Sequence, residues 1–205
     1  MELLRDPDAD LVAALRRPEN EGFEQAFEAL YLKYRDRVYS VAFRICGSAA
    51  DAMDALQEAF SLVFRKLHLF RADSLFSTWL FRIVVNCSID LRRKGRRLVD
   101  APGLVEEPQD DSAGPLASAE SSEFSDQMQQ AIGMLSPKLR AILALRYLED
   151  MTYEELAATL DLSMGTVKSR LARAHLALER VLLTSFPHLV GEGADGAARA
   201  EGGIA

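Results

Sequence analysis

Side chains that bind metals or carry covalent chemistry are scarce in this chain. Two cysteines, Cys46 and Cys87, and three histidines, His68, His175 and His188, stand far apart and in no metal-ligand spacing. No Gly-rich phosphate loop or nucleophile motif occurs. Asp54 and Glu58 form an i,i+4 carboxylate pair, but no Glu-x-x-His accompanies them to complete a di-metal bundle. An enzyme is therefore not expected, nor a metal, a cofactor or a small-molecule substrate. No apolar run approaches the roughly 20 residues that cross a bilayer. The opening MELLRDPDAD is acidic and lacks the apolar stretch of a secretory signal. A cytoplasmic protein with two buried, unpaired thiols is expected. Alternating strand patterns are also missing, so the fold class is all-α.

What the chain does have is segregated charge. The net charge of −7 argues against a nucleic-acid partner only as an average. Between Leu98 and Gln130 stand eight acids and no base. Between Arg65 and Arg97 nine bases face only Asp73 and Asp90, a local +7. A polyanion responds to the local field.

Composition and periodicity divide the chain. Residues 1–22 are an N-terminal extension and 23–97 a first helical domain. Residues 98–130, with three prolines, two glycines and little periodicity, read as a flexible acidic linker. Residues 131–186 form a second helical domain, and 187–205 a disordered Gly/Ala-rich tail. In the first domain Phe23, Phe27, Leu30, Tyr34, Val38, Val41 and Ile45 recur at three- and four-residue steps. Gly47 can close that helix, and Ser48 with Asp51 can cap the next. There Met53, Leu56, Phe60, Val63, Phe64 and Leu67 form the core stripe, while Asp54, Glu58, Ser61 and Arg65 point outward with Gln57 on the flank. A polar break, HLFRADSLFS, precedes a third apolar series from Trp79 to Leu91.

The second domain ends in a helix–turn–helix. Ser136 and Pro137 open one helix. Thr152 and Glu155 make a capping box for the next, and Ser163 can cap the last, with Gly165 and Thr166 in its first turn. On a wheel of 100° per residue, Val167, Leu171, Ala174 and Leu178 face Leu156, Ala157 and Leu160. Lys168, Ser169, Ala172 and Arg173 face away, with Arg170 at the stripe's edge. Donors, a hydroxyl and a small residue near a helix N-terminus suit the major groove, and Arg170 with the first-turn amides suits phosphate. Taken alone, a solvated basic face would account for the same residues. In the first domain Phe70, Phe76 and Trp79 surround a loop holding Arg71, Asp73, Ser74, Ser77 and Thr78. Arg82, Arg92, Arg93, Lys94, Arg96 and Arg97 follow. Aromatics among donors and bases fit unstacked single-stranded bases, although aromatics at helical spacing are as a rule core.

Three segments in order resemble the sigma factors of bacterial RNA polymerase, in particular the small two-domain extracytoplasmic-function (ECF) group. DALQEAF, residues 54–60, is similar to the family's polymerase-binding helix. FRADSLFSTWLFRIVVNCSIDLRRK is similar to its promoter-melting region, and LSPKLRAILALRYLEDMTYEELAATLDLSMGTVKSRLARA to its second DNA-binding domain. The resemblance covers about 23–97 and 135–183. It implies two helical domains on an acidic linker, with core RNA polymerase, promoter DNA and an anti-sigma factor as partners. Asp54, Gln57 and Glu58 would meet the β′ clamp helices. Phe70, Arg71, Asp73, Ser74, Phe76, Ser77, Trp79, Arg82, Arg92 and Arg93 would serve −10 element melting. Thr166, Lys168, Ser169, Arg170, Ala172 and Arg173 would serve the −35 element. Ala172 stands where the family often carries a larger side chain, and Met164 where proline often begins the recognition helix. A stand-alone helix–turn–helix regulator with an N-terminal sensor or dimerisation domain is the alternative; it leaves the −10-like loop without a role.

Overall fold

The computed structural model describes residues 6–16, 22–99 and 119–190. Among them all regular structure is helical. Three helices build the first domain's core: α2 (Phe23–Cys46), α3 (Ala49–Lys66) and α4 (Phe76–Val99), preceded by a short α1 (Ala9–Leu15). The second domain comprises α5 (Ala119–Gly133), α6 (Pro137–Leu148), α7 (Tyr153–Leu160) and α8 (Met164–Ser185).

Local chemistry sets the helix ends. Gly47 sits at φ +83°, a left-handed C-cap that costs a residue without Cβ nothing, and its N–H bonds the Phe43 carbonyl. Ser48 then accepts the Asp51 N–H at 3.2 Å and opens α3. Thr152 and Glu155 cap each other's backbone N–H groups at 3.2 and 2.8 Å, the full reciprocal box. Ser136 lies at the N-cap of α6 with Pro137 behind it, but its side chain makes no capping bond.

Two elements add to the sequence reading. Within the extension α1 buries Val12 and Leu15 against α2. Its two buried residues are too few to produce a visible period. Within the 98–130 stretch, α4 runs on to Val99 and α5 begins at Ala119. On α5 Ala131 is fully buried with Met128 and Ile132 half-buried beside it, and glutamines add polar ties, Gln129 donating to the Phe43 carbonyl at 3.2 Å and Gln127 meeting His188 at 2.8 Å. The rest of the acidic linker, and the tail beyond residue 190, lie outside the described residues.

Tyr34, Phe76, Phe81, Leu30 and Leu80 are fully buried in the first domain, as are Ile142, Leu145 and Leu156 in the second. The two cores are continuous, with α6 lying on α2 and α7 on α4. Arg140 on α6 is the polar centre of that seam, only 4% exposed. Its Nε donates to Leu135 O at 2.9 Å, its Nη1 to Ile45 O at 3.0 Å, and its Nη2 to Gly133 O. These carbonyls close α2, α5 and the turn after α5, ends where the macrodipole favours a cation. Burial, with nearby Arg92 adding to it, lowers the Arg140 pKa to about 10. Further along α2, Arg37 pairs with Glu149 just past the end of α6; the Glu149 side chain is 2% exposed and its carboxyl is pushed up by burial.

Candidate polymerase and promoter interfaces

The helix–turn–helix is set by three residues. Asp161 takes a left-handed conformation at φ 53°, and its N–H bonds the Ala157 carbonyl. Leu162 N–H shares that carbonyl at 2.9 Å, and Ser163 immediately caps α8 through the Thr166 N–H at 3.2 Å. One helix is thus stopped and the next started within three residues. Val167, Leu171 and Ala174 are buried as the wheel predicts, whereas Leu178 is half-buried.

Lys168, Ser169, Ala172 and Arg173 all lie exposed on the opposite face. Arg173 Nε rests on Ser169 O at 3.2 Å, and Ser169 Oγ on Thr166 O at 3.1 Å, so both are pre-positioned along their own helix. Thr166 and Arg170 are half-buried, and burial lowers the Arg170 pKa, with Arg173 adding to it. Both lie on the shoulder of the exposed face rather than at its centre.

In the first domain the loop from Phe70 to Leu75 joins a 3-10 turn (Leu67–Leu69) to α4. Phe70 and Phe76 are buried, edge-to-face at 5.9 Å, and half-buried Trp79 tilts over them at 5.4 and 5.9 Å. These aromatics are the floor of the loop, not free stacking surfaces. Ser77 is half-buried and Thr78 buried. The exposed tip is Arg71, Ala72, Asp73 and Ser74, with Ala72 in the left-handed region at φ 59°. Arg92 and Arg93 are exposed further along α4, Arg93 pairing with Asp90 at 3.4 Å. Arg82, also exposed, donates to the Ala158 carbonyl on α7. The side chains of Arg96 and Arg97 lie outside the described residues.

On α3, Asp54, Gln57 and Glu58 are all exposed, and Glu58 meets Arg65 at 3.2 Å. Beside them the structure places two residues that the periodicity assigned to the core: Met53 is 46% and Phe64 57% exposed. Both lie at the margin of the stripe, where a wheel cannot tell a covered edge from an open one. Phe64 is packed edge-to-face on Phe23 and Phe27, each at 5.7 Å, forming an apolar shelf along the acidic face.

A helix–turn–helix with an outward basic set, an exposed polar loop and an acidic helix face thus stand on one chain. Residues 30–98 match the family model described as Sigma-70 region 2, and residues 125–178 that of Sigma-70, region 4. The RNA polymerase sigma-H factor of Pseudomonas aeruginosa is 34% identical over 189 residues, covering 88% of this chain and 96% of that protein. The ECF RNA polymerase sigma-E factor of Escherichia coli K12 is 37% identical over 171 residues, covering 78% of this chain and 87% of the relative. The chain belongs to the ECF sigma factors. The sigma factor RpoE of Bartonella quintana, solved in complex with the anti-sigma factor NepR, superposes with a TM-score of 0.62 at 26% identity, covering 78% of this sigma factor and 98% of that chain. This sigma factor binds core RNA polymerase and promoter DNA and directs promoter-specific initiation of transcription. The stand-alone regulator is thereby set aside. Among the described residues no helix is long and apolar enough to cross a membrane.

Proposed function

We propose a division of labour over three surfaces. The α3 face of Asp54, Gln57 and Glu58, with Met53 and Phe64 beside it, docks on the β′ clamp helices of core polymerase. Acids at the centre of the patch meet basic partner groups, and the apolar shelf supplies the buried area that charge alone does not. The loop tip of Arg71, Asp73 and Ser74 captures an extruded base of the −10 element, on a floor of Phe70, Phe76 and Trp79. Ser77, Arg82, Arg92 and Arg93 attend the adjoining strand. In the second domain Lys168, Ser169, Ala172 and Arg173 read the −35 element in the major groove, with Thr166 and Arg170 on the backbone. The chain acts in the cytoplasm without catalytic residues of its own. An anti-sigma factor holds it in reserve, a reading supported by the NepR-bound state of the similar RpoE.

One observation carries the reading: four residues at the N-terminal end of α8 lie exposed on one face, away from a stripe that is itself buried. Run-off transcription with core polymerase, across single-base variants of the upstream element, tests it. Arg173→Ala is expected to reduce initiation about 5- to 150-fold, the equivalent of one bidentate base contact, and to flatten preference at one position. Unchanged initiation and preference would remove the −35 assignment.

A further inference from the structure

The loop tip between Phe70 and Phe76 is held from outside the loop. Asp6 Oδ2 accepts the Phe76 N–H at 2.7 Å, capping the first residue of α4 from seventy positions upstream. At the other end of the loop Arg16 donates to the Phe70 carbonyl, its guanidinium lying 5.9 Å from the centre of the Phe70 ring. Both clamps are themselves anchored. Asp6 Oδ1 is tied by the Asp8 N–H at 3.0 Å. Asp8, 1% exposed, accepts from the Tyr34 hydroxyl and from Lys33, each at 2.5 Å. The Tyr34 ring in turn packs on Phe76 at 5.8 Å, and Val12 and Leu15 fix the intervening helix to α2. Between the clamps Ala72 keeps φ 59°, a conformation an alanine holds only where the surroundings over-determine it.

We propose that residues 6–16 are a positioning element for promoter melting, holding the Arg71–Ser74 tip in the strained form that accepts an unpaired base. Asp6 and Arg16 are its positioning residues. Neither touches DNA. The extension earns its place by keeping the loop ready: a loop free to leave the left-handed conformation binds with an affinity reduced by the fraction of time it spends there. This inference rests on the assignment of the loop to the −10 element.

The test is equilibrium binding of holoenzyme to a forked DNA whose −10 strand is single-stranded, with core affinity and thermal melting measured in parallel. Asp6→Ala with Arg16→Ala is expected to weaken forked-DNA binding about tenfold, the preference of alanine against the left-handed region, at unchanged core affinity. Asp6→Asn keeps a single acceptor oxygen for two N–H groups, those of Phe76 and Asp8, and is expected to bind between wild type and the double variant. Adding Ala72→Gly to the double variant is expected to recover most of the loss, because glycine reaches that φ without steric cost. Wild-type binding by the double variant overturns the inference. So does a loss that falls equally on core affinity and is not rescued by Ala72→Gly, which would make the segment a general stabiliser. The underlying −10 assignment fails separately, if Arg71→Ala, Asp73→Ala and Ser74→Ala together leave forked-DNA binding unchanged.

Discussion

Replacing Arg140 by methionine keeps the length and apolar stem of the side chain and removes its five donors. Three buried carbonyls, at Leu135, Ile45 and Gly133, lose their partner. Hydrogen bonds to a charged group contribute about 1.5–3 kcal/mol each, so the gross loss is roughly 5–9 kcal/mol. Against it stands the relief of a buried charge. The guanidinium pKa falls from 12.5 to about 10, and at about 1.4 kcal/mol per unit that returns roughly 3 kcal/mol. A net destabilisation of about 2–6 kcal/mol remains. In a chain of this size each kcal/mol moves the melting temperature by about 2–4 °C. Thermal unfolding followed by far-ultraviolet circular dichroism should show Arg140→Met melting at least about 4 °C below wild type. Arg140→Lys should recover less than half of the difference, since an ammonium cannot fork between helix ends. An Arg140→Met protein melting within about 2 °C of wild type would refute the reasoning, showing that the three bonds merely offset desolvation.

Three further outcomes are expected. Asp54→Arg with Glu58→Arg should abolish capture of core polymerase at unchanged helicity, and Phe64→Ala should weaken it by about 1–2 kcal/mol; a pull-down with full retention by both would remove α3 as the docking face. Gly47→Ala should lower stability by about 1–2 kcal/mol, because φ is +83° there and the new Cβ would stand 3.3 Å from Arg140 Nη1; an unchanged urea midpoint would count against that cap. Burial pushes the Cys46 and Cys87 thiols up from 9.0 to about 11. The folded protein therefore holds these protons more tightly than the unfolded chain. The stability they contribute is complete below about pH 9 and is lost as pH rises through about 11. Neither thiol should react with a disulfide reagent at pH 8 until the chain is denatured, and rapid labelling of the native protein would contradict their burial.

Much of this was legible in sequence where the physics is local. Gly47, Ser48, the Thr152–Glu155 box and Ser163 act on backbone groups within four residues, so their roles survive folding unchanged. The outward set on α8 was legible for the same reason, because one helix turn fixes which side chains share a face. What the sequence hid depends on distant partners. The Arg140 carbonyls belong to three separate chain positions, and no spacing rule points from residue 140 to residue 45. Asp6 and Arg16 act across more than fifty residues. Met53 and Phe64 sit at the margin of the apolar stripe, where exposure depends on what α2 happens to cover. Phe70 and Phe76 carried both readings, base-stacking surface and core; burial makes them the support of the loop, leaving its polar tip to meet a ligand.

The bond between Arg82 on α4 and the Ala158 carbonyl on α7 has a consequence for the order of events at a promoter. Elements named −10 and −35 are centred about 25 base pairs apart, on the order of 85 Å along B-DNA at 3.4 Å per pair. The longest helices of the two domains have 24 and 22 residues and even end to end span only about 70 Å. On the assignment proposed above, of the loop tip before α4 to the −10 element and of α8 to the −35 element, one molecule with α7 resting on α4 cannot occupy both. Docked and promoter-bound forms are therefore competing states of a single equilibrium, and the free energy that seats α6 on α2 and α7 on α4 is subtracted from DNA affinity. The affinity of the isolated chain for a whole promoter is its intrinsic value multiplied by the fraction of molecules that are open. A protein that grips only the open arrangement would tighten promoter binding without touching a single base.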